Sequence, residues 1–348
     1  MSENKRFSFL FDDDNTAPSN KAAEAGDTKG SDGAYHGHKW SLLSDSSGGE
    51  EKTESAKSEP FKSLGEVIFK PGEAKYRSEQ VNVIKVNGII ESHGESKLEY
   101  HVRKYVENGQ YKVKVSLTDS IMTIHPAYLQ DSLNLVEKVD LIKSNAILLL
   151  DNKTGKITAI ENLADIKAEW LLMKRRIEGN TAYVKDPQTK RNIADYFINT
   201  EKQFTQESML LDFKIRPFFD LFFDSYLVSE IFSFEPYSKL YYSQLFDQLP
   251  VDLDVTQKVV TEGREGINIL KEANVNRLSP HIKDFERLYD ERFKPRIGYK
   301  FSDYNFSHTT QASYNYTDNL LEEAAMRIIE EVQHNVDLFV DYKLRRIK

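Results

Sequence analysis

Apolar and polar residues alternate along residues 97–119, on both sides of the dipeptide Asn108-Gly109. Strict alternation is typical of β-strands, and Asn-Gly favours a two-residue hairpin turn because both central positions require positive φ. The turn sets a register in which Glu107 faces Gln110. The hairpin then has one apolar and one polar face, which predicts an antiparallel sheet with one face on a core and the other in water.

The same register makes two detailed predictions. Leu98 should face Asp119 at the far end of the hairpin. Lys104 falls on the apolar face opposite Val113, and because buried lysines are rare we interpret it as an edge or rim position of the sheet.

Three further stretches have residue patterns typical of β-strands. Residues 66–90 contain a short run that ends at Pro71-Gly72 and a second Asn-Gly turn at Asn87-Gly88. Residues 145–160 predict another hairpin, in which Gly155 can take the left-handed conformation that closes the loop. Its first strand is apolar on both faces and should be covered on both. The last run, 336–344, alternates strictly, and we interpret it as the strand that closes the sheet.

Helical periodicity dominates the middle of the chain. Residues 163–178 have apolar side chains at steps of three and four, with Asn162 as the predicted N-cap and Gly179 as the predicted end. A second helix should begin at Asp186-Pro187, and a third apolar segment covers residues 209–227. Residues 120–140 and 320–332 fit both helix and strand, and the sequence leaves that choice open.

Together these elements predict an α+β fold, with an antiparallel, curved, half-barrel-like sheet, a central helical segment and a long disordered N-terminal tail. The sequence divides into a tail (1–62), an antiparallel β part (63–160), a mainly helical part (161–250) and a mixed part with the closing strand (251–348). The mixed part is expected to form one domain with 63–160.

The tail is rich in Ser, Gly, Asp, Glu and Lys, and it has too few apolar residues to offset the entropy of ordering it. Two apolar segments interrupt it. In the first, phenylalanines alternate and three aspartates follow, which suits a peptide that adds to the edge of a sheet. The alternative is that these segments are incidental or fold back on their own domain. The predicted partner-binding residues are Phe7, Phe9, Leu10, Phe11, Tyr35, Trp40 and Leu42.

Composition limits the classes of function. The chain of 348 residues has a formal net charge of −8 and no cysteine. The acidic balance argues against a nucleic-acid partner, and the lack of thiols excludes disulfides and cysteine catalysis. The sequence contains neither a secretory signal peptide nor an apolar run long enough to cross a membrane. We expect a soluble cytoplasmic protein, with export by a non-classical route left open.

The sequence contains no recognised catalytic, dinucleotide or phosphate-binding motif. His101 should lie opposite Ser116, but nothing in the sequence supplies a third group to orient the imidazole, so we interpret the pair as a solvated surface pair. His36 and His38 lack a third ligand, and neither a metal nor a cofactor is predicted.

Aromatic residues in the third apolar segment, Phe218, Phe219, Phe222 and Phe223, could line a pocket for an apolar small molecule, although packing in a core is the commoner use of such a cluster. Three functions follow. The first is a non-catalytic adaptor that docks a protein partner through the tail. The second is a carrier or sensor of an apolar small molecule. The third is a hydrolase whose site leaves no local motif.

Overall fold

The computed structural model describes residues 69–181, 187–228, 235–246, 248–276 and 282–347. They form an antiparallel sheet of eleven strands with helices packed on one of its faces. The sheet is open, because the two outermost strands do not pair with each other. The α+β class predicted from the sequence is confirmed.

The strands of the first half are β1 (Gly72–Val86), β2 (Ile89–Glu107), β3 (Gln110–His125), β4 (Ala146–Leu150) and β5 (Ile157–Ile160). Those of the second half are β6 (Tyr237–Tyr242), β7 (Pro250–Glu262), β8 (Gly266–Val275), β9 (Tyr304–Asn315), β10 (Leu320–Val332) and β11 (Val336–Ile347). The helices are α1 (Gln130–Lys143), α2 (Leu163–Thr181), α3 (Pro187–Glu201), α4 (Gln206–Ile215), α5 (Pro217–Phe222), α6 (Ile282–Arg292) and α7 (Lys294–Ile297).

The first and last strands of the sequence are neighbours in the middle of the sheet. The spatial order is β5-β4-β3-β2-β1-β11-β10-β9-β8-β7-β6, so β11 pairs with β1 on one side and with β10 on the other. Each half of the sheet is a meander of successive antiparallel strands. The strictly alternating run at 336–344 is therefore a strand, as predicted, and it joins the two halves.

One face of the sheet lies on the core. Along β11 the buried side chains are every second residue, which are Val336, Leu338, Val340, Tyr342 and Leu344. The helices cover this face; for example, the ring of Phe218 in α5 stacks on Tyr100 of β2 at a centroid distance of 3.9 Å.

The other face carries charges of both signs next to one another across the strands. Arg77 on β1 forms an ion pair with Glu99 on β2, and it faces Arg345 on β11, which in turn faces Glu323 on β10. Such interspersed charges are typical of a solvated protein surface.

The main hairpin has the predicted turn. Asn108 and Gly109 have φ of 52° and 75°, and Glu107 faces Gln110. The register holds as far as Tyr100 opposite Leu117. A bulge then shifts it by one residue, so Leu98 faces Ser120 and not the predicted Asp119. A bulge inserts an extra residue in one strand and bends it, and the alternation alone did not reveal it.

Lys104 is the clearest error in the sequence interpretation. We expected an edge or rim position, but β2 is an inner strand and Lys104 is only 1% exposed. Its ammonium group is buried beneath the turn that joins β9 to β10, where backbone carbonyl oxygens accept its hydrogen bonds. Those partners are distant in sequence, and they permit a charge to be buried.

Several element boundaries also differ from the expectations. Residues 69–71 are not part of a strand, and β1 begins at Gly72. Gly179 lies inside α2, which continues to Thr181. α2 does begin directly after Asn162, as predicted, and the backbone carbonyl oxygen of Asn162 accepts from the N–H groups of Asp165 and Ile166. Its side chain, however, accepts from the backbone N–H of Ile147 and donates to the carbonyl oxygen of Asn145, so it holds β4 and does not cap the helix.

The two undecided segments take different structures. Residues 120–140 contain the end of β3, a short 3₁₀ turn and most of α1, whereas 320–332 is strand β10. The segment interpreted as mainly helical also contains an outer strand of the sheet, β6. No helix in the described ranges has both the length and the apolar character needed to cross a bilayer.

Candidate functional site

A partly buried set of ionisable side chains lies where the helical cover meets the second half of the sheet. We call it the cover network. Its members come from the β4–β5 loop, α5 and the residues after it, and strands β6, β8 and β9, and they are Lys156, Asp220, Asp224, Lys239, Lys271 and His308.

Each carboxylate oxygen of the cover network accepts a hydrogen bond. Lys239 donates to both carboxylate oxygens of Asp220, at 2.6 Å each. One oxygen of Asp224 accepts from the backbone N–H of Ser225 at 2.6 Å, and the other accepts from Lys271. Because Asp220 and Asp224 lie in the cover and both lysines lie on strands, these bonds fasten the cover to the sheet.

Electrostatics set the protonation states of the network. Burial alone would raise the pKa of Asp224, but the ammonium groups of Lys271 and Lys156 outweigh it and hold that pKa below its usual range. The pKa of Asp220 is also lowered, because Lys239 and Lys156 outweigh the effect of its burial. Burial lowers the pKa of His308 to about 4.

These protonation states bear on the chemistry of the network. A general acid or base is most effective when its pKa lies near the working pH. At neutral pH both carboxyls are ionised and His308 is neutral, so the network is better suited to holding the fold together than to proton transfer. Within the described ranges, no group of three or more carboxylate or imidazole side chains is arranged to hold a metal ion.

A further buried carboxyl, that of Glu330 on β10, has four hydrogen-bond donors. Its oxygens accept from the hydroxyls of Tyr241 at 2.8 Å and Tyr304 at 3.0 Å, from the backbone N–H of Gln244 at 2.7 Å and from the hydroxyl of Ser243. Burial raises its pKa, and the four donors oppose that rise. Glu330 thus anchors the end of β6 and the loop after it to the centre of the sheet.

A small cleft lies between α1 and α4, beside the ion pair of Lys143 and Asp212, whose atoms Nζ and Oδ2 are 3.4 Å apart. Arg216 joins the pair, because it donates to Asp212 at 2.9 Å and to Asp140 at 2.6 Å. The cleft has about 20 Å³ of free volume. That is room for a water molecule or two, and an organic ligand needs far more.

The three most exposed large apolar side chains of the described residues lie at the same end of the sheet. Ile89, Tyr128 and Tyr299 are 73%, 72% and 64% exposed, the highest fractions among the large apolar side chains of the described residues. Ile89 opens β2, Tyr128 follows the end of β3 and Tyr299 precedes β9, and antiparallel pairing brings these three points to the same end. Ile90, 55% exposed, adjoins Ile89. We call these four residues the apolar end.

The four phenylalanines predicted for a ligand pocket are buried and in mutual contact. Phe218 stacks on Phe222, and Phe219 stacks on Phe223, with centroids 5.6 Å and 5.9 Å apart. Phe222 also packs edge-on against Tyr76 of β1. The ligand pocket itself stays a prediction. The predicted partner-binding residues, from Phe7 to Leu42, and the predicted disorder of the tail lie outside the described residues.

The surface pair of His101 and Ser116 has an unexpected neighbour. The two residues face each other as predicted, and Glu73 on β1 lies 2.6 Å from Nε2 of His101. The sequence offered no such carboxylate. Among the described residues, however, the hydroxyl of Ser116 forms no hydrogen bond with the imidazole, so a nucleophile–base contact is lacking.

Sequence reasoning missed both the cover network and the apolar end. The members of the cover network are scattered over residues 156–308, and no periodicity links them. One local signal for the apolar end was present: Ile89 and Ile90 directly follow an Asn-Gly turn, and adjacent residues of a strand point to opposite faces, so one of them had to lie on the solvent side.

Comparison with known proteins adds little. No protein-family model matches the chain, and no curated protein matches it. Among solved structures, one described as lipid–protein interactions in lipovitellin is similar over 81% of this chain, with 8% sequence identity and a TM-score of 0.42. This chain covers 26% of that lipovitellin chain, or about a quarter of its length.

Proposed function

We propose that this protein is a non-catalytic binding protein, resident in the cytoplasm, which docks a protein partner through its N-terminal arm, residues 1–62. The observation that carries the proposal is the row of alternating phenylalanines at positions 7, 9 and 11 of the arm. The body adds to it, because its three most exposed large apolar side chains among the described residues lie at the same end of the sheet. Clustered exposed apolar residues are typical of docking surfaces, whereas single ones are not.

Two further observations favour surface binding over a cavity or an active site. The aromatic rings of α5 fill the core, and the cleft beside Lys143 has room only for water. The carboxylates of the cover network are ionised and fully paired at neutral pH. These two observations support contact through surface side chains over binding of a ligand in a cavity.

The test compares three forms of the full chain: wild type, a variant with Phe7, Phe9 and Phe11 changed to Ser, and a control with the exposed Ile198→Ser substitution on α3. Proteins that co-purify with the wild type are then purified. By calorimetry, we expect the dissociation constant of the triple variant to be at least tenfold larger than that of the wild type. Equal affinity of all three forms would exclude the arm as the docking element.

A further inference from the structure

We propose that two copies of this chain associate through β6, the outer strand of the second half of the sheet. The strand pairs antiparallel with β6 of the second copy, around a two-fold axis at Leu240. The contact involves only described residues of the body and not the N-terminal arm, so it goes beyond the proposed function and does not depend on it. An unpaired strand at the edge of a sheet is a template for pairing with another chain.

The two outer strands of the sheet differ in how open they are to such pairing. β5 has only four residues, and a register shift between Leu149 and Leu150 interrupts its pairing with β4. β6 has six residues, contains no proline and pairs with β7 without a register shift. Short edge strands, bulges and prolines are features that discourage pairing with other chains. β6 has none of them, so it is the more open edge.

A side chain covers another free edge of the sheet but not that of β6. β3 extends well beyond β4, which pairs only with residues 112–115 of it. Further along β3, the side-chain amide of Gln130 in α1 accepts from the backbone N–H of Ile124 at 3.1 Å and donates to the carbonyl oxygen of Met122 at 3.0 Å. No described residue forms a comparable hydrogen bond with the outer edge of β6.

The hydrogen bonds at the end of β6 show which of its backbone groups point outward. The N–H of Ser243, the residue after the strand, donates to the carbonyl oxygen of Leu249 at 2.9 Å, on the side of β7. Successive residues of a strand present their backbone groups to opposite sides, so every second residue before Ser243 also faces β7. The residues between them direct N–H and C=O away from the sheet. They are Ser238, Leu240 and Tyr242.

These three outward residues are arranged symmetrically about Leu240. A two-fold axis at this residue places Leu240 opposite Leu240 of the second copy, and Ser238 opposite Tyr242 of the second copy. Opposed residues of this kind in antiparallel strands exchange both of their N–H···O bonds. One register therefore gives every outward backbone group of β6 a partner, and it does so with two identical strands.

The side chains of β6 suit the same register. Leu240 is 46% exposed, and pairing covers it with its own copy. Lys239 is the one charged residue of the strand, and it donates to both carboxylate oxygens of Asp220 at 2.6 Å each. Across the two-fold axis Lys239 faces Tyr241 of the second copy. The register thus avoids like charges in directly opposite positions, which would be destabilising.

The size of the contact predicts a weak dimer. β6 contributes six residues, whereas a standard interface has roughly 20–30 residues a side. We expect reversible association with a dissociation constant in about the micromolar range. A two-fold contact uses the same surface on both copies and is closed by the second one, so association stops at the dimer.

Sedimentation velocity of the full chain at increasing concentration tests the two-fold axis. Leu240→Lys and Leu240→Glu each place two like charges against each other, and each should raise the dissociation constant of the dimer roughly tenfold or more. An equimolar mixture of the two variants should restore the dimer, because Lys then faces Glu. This recovery is the signature of a residue that faces its own copy.

Two controls separate β6 from other surfaces. Leu172→Lys introduces the same charge at an exposed site on α2 and should leave the dissociation constant unchanged. Changing Phe7, Phe9 and Phe11 to Ser should also leave it unchanged, because the arm takes no part in the contact. Circular dichroism verifies that each variant is folded, and recovery in the mixture shows that both variants at position 240 keep a functional edge.

Four results would overturn the proposal. The first is a wild type that sediments as a monomer from the nanomolar to the submillimolar range. The second is a dimer that Leu240→Lys does not weaken, which would place the contact on another surface. The third is a loss in both variants without recovery in their mixture. The fourth is a loss in the variant without Phe7, Phe9 and Phe11, because the arm of the second copy would then occupy the edge.

Discussion

The Nζ atom of Lys104 lies 2.7 Å from the backbone carbonyl oxygen of Asp318, 214 positions further along the chain. The carbonyl oxygens of Leu227 and Asn319 lie 3.4 Å from the same atom. One side chain of β2 thus ties the β9–β10 turn and the end of the helical cover to the middle of the sheet. Burial lowers the pKa of Lys104 to about 7, although the nearby carboxylate of Asp318 opposes the shift.

Lys104→Met should destabilise the protein, and more so at high pH. The variant leaves buried carbonyl oxygens without a donor, which costs about 1–3 kcal/mol. In the wild type the folded pKa, about 7, lies below that of an ordinary lysine, so the unfolded chain binds more protons between pH 7 and about 10. Wild-type stability should therefore rise relative to the variant across that interval. Urea unfolding at pH 6 and pH 9 measures the difference.

Lys97→Met is the matched control for this prediction, because Lys97 lies on the same strand but is exposed. We expect it to change the free energy of unfolding by less than about 0.5 kcal/mol at either pH. If Lys104→Met were as neutral as the control, the hydrogen bonds from Lys104 to the backbone carbonyl oxygens would have no energetic role. If its effect did not grow with pH, the pKa of Lys104 would not be lowered in the folded protein.

Protonation of His308 should lower the free energy of unfolding in mild acid. Its folded pKa of about 4 lies below the ordinary value of 6.5, so the contribution of the neutral imidazole is complete above pH 6.5 and is lost as the pH falls through 4. The loss should approach about 3 kcal/mol. His308→Gln removes the titrating group and should flatten this part of the pH profile of the unfolding free energy.

The control for His308 is His334→Asn. His334 is exposed in the β10–β11 turn with φ of 66°, a conformation that asparagine accepts. We expect this variant to keep the wild-type slope between pH 4 and pH 6.5. An equally steep slope in His308→Gln would mean that another group is responsible.

The parts of the fold that depend on local pattern were predictable. Asn108-Gly109 selects its turn through the φ preference of two residues, and the alternation beside it fixes which face is buried. The alternating run at 336–344 likewise identified β11. Residues 320–332 could not be assigned, because two adjacent leucines and two adjacent isoleucines satisfy both periods and only pairing with β9 and β11 decides between them.

What the sequence could not predict depends on partners that are distant along the chain. The sequence alone suggests that Lys104 is a rim residue, because the turn at 316–319 that covers its ammonium group is far away along the chain. The cover network unites Lys156 with Lys271, which no local pattern connects. The strand order could not be derived either, because β11 lies between β1 and β10 through hydrogen bonds that leave no trace in the spacing of residues.

Gly155→Ala should be severely destabilising. Gly155 has φ of 66°, and a Cβ atom there would collide with the backbone carbonyl of Asp224, a member of the cover network. Gly88→Ala is the matched control, because its φ is 74° but no atom lies within 4 Å of the added Cβ. Positive φ alone costs about 1–2 kcal/mol.

Thermal unfolding distinguishes these two effects of glycine. We expect Gly88→Ala to lower the free energy of unfolding by about 1 kcal/mol, the cost of the conformation alone. Gly155→Ala should lower it by at least twice that amount, because the backbone of Asp224 must also move. Equal effects would show that the β4–β5 loop can shift away from the helical cover without loss.

Phe218→Ala tests whether the aromatic cluster of α5 is core or ligand pocket. The ring of Phe218 stacks on Tyr100 and meets Phe219 edge-on, and it is 1% exposed. If the rings serve as core, their loss should cost about 3–5 kcal/mol, whereas Leu172→Ala at an exposed site should cost less than about 1 kcal/mol. Urea unfolding measures both, and native mass spectrometry of the wild type reports any bound apolar molecule. A stable Phe218→Ala variant, together with a wild type that carries such a molecule, would assign the cluster to ligand binding and contradict the core assignment.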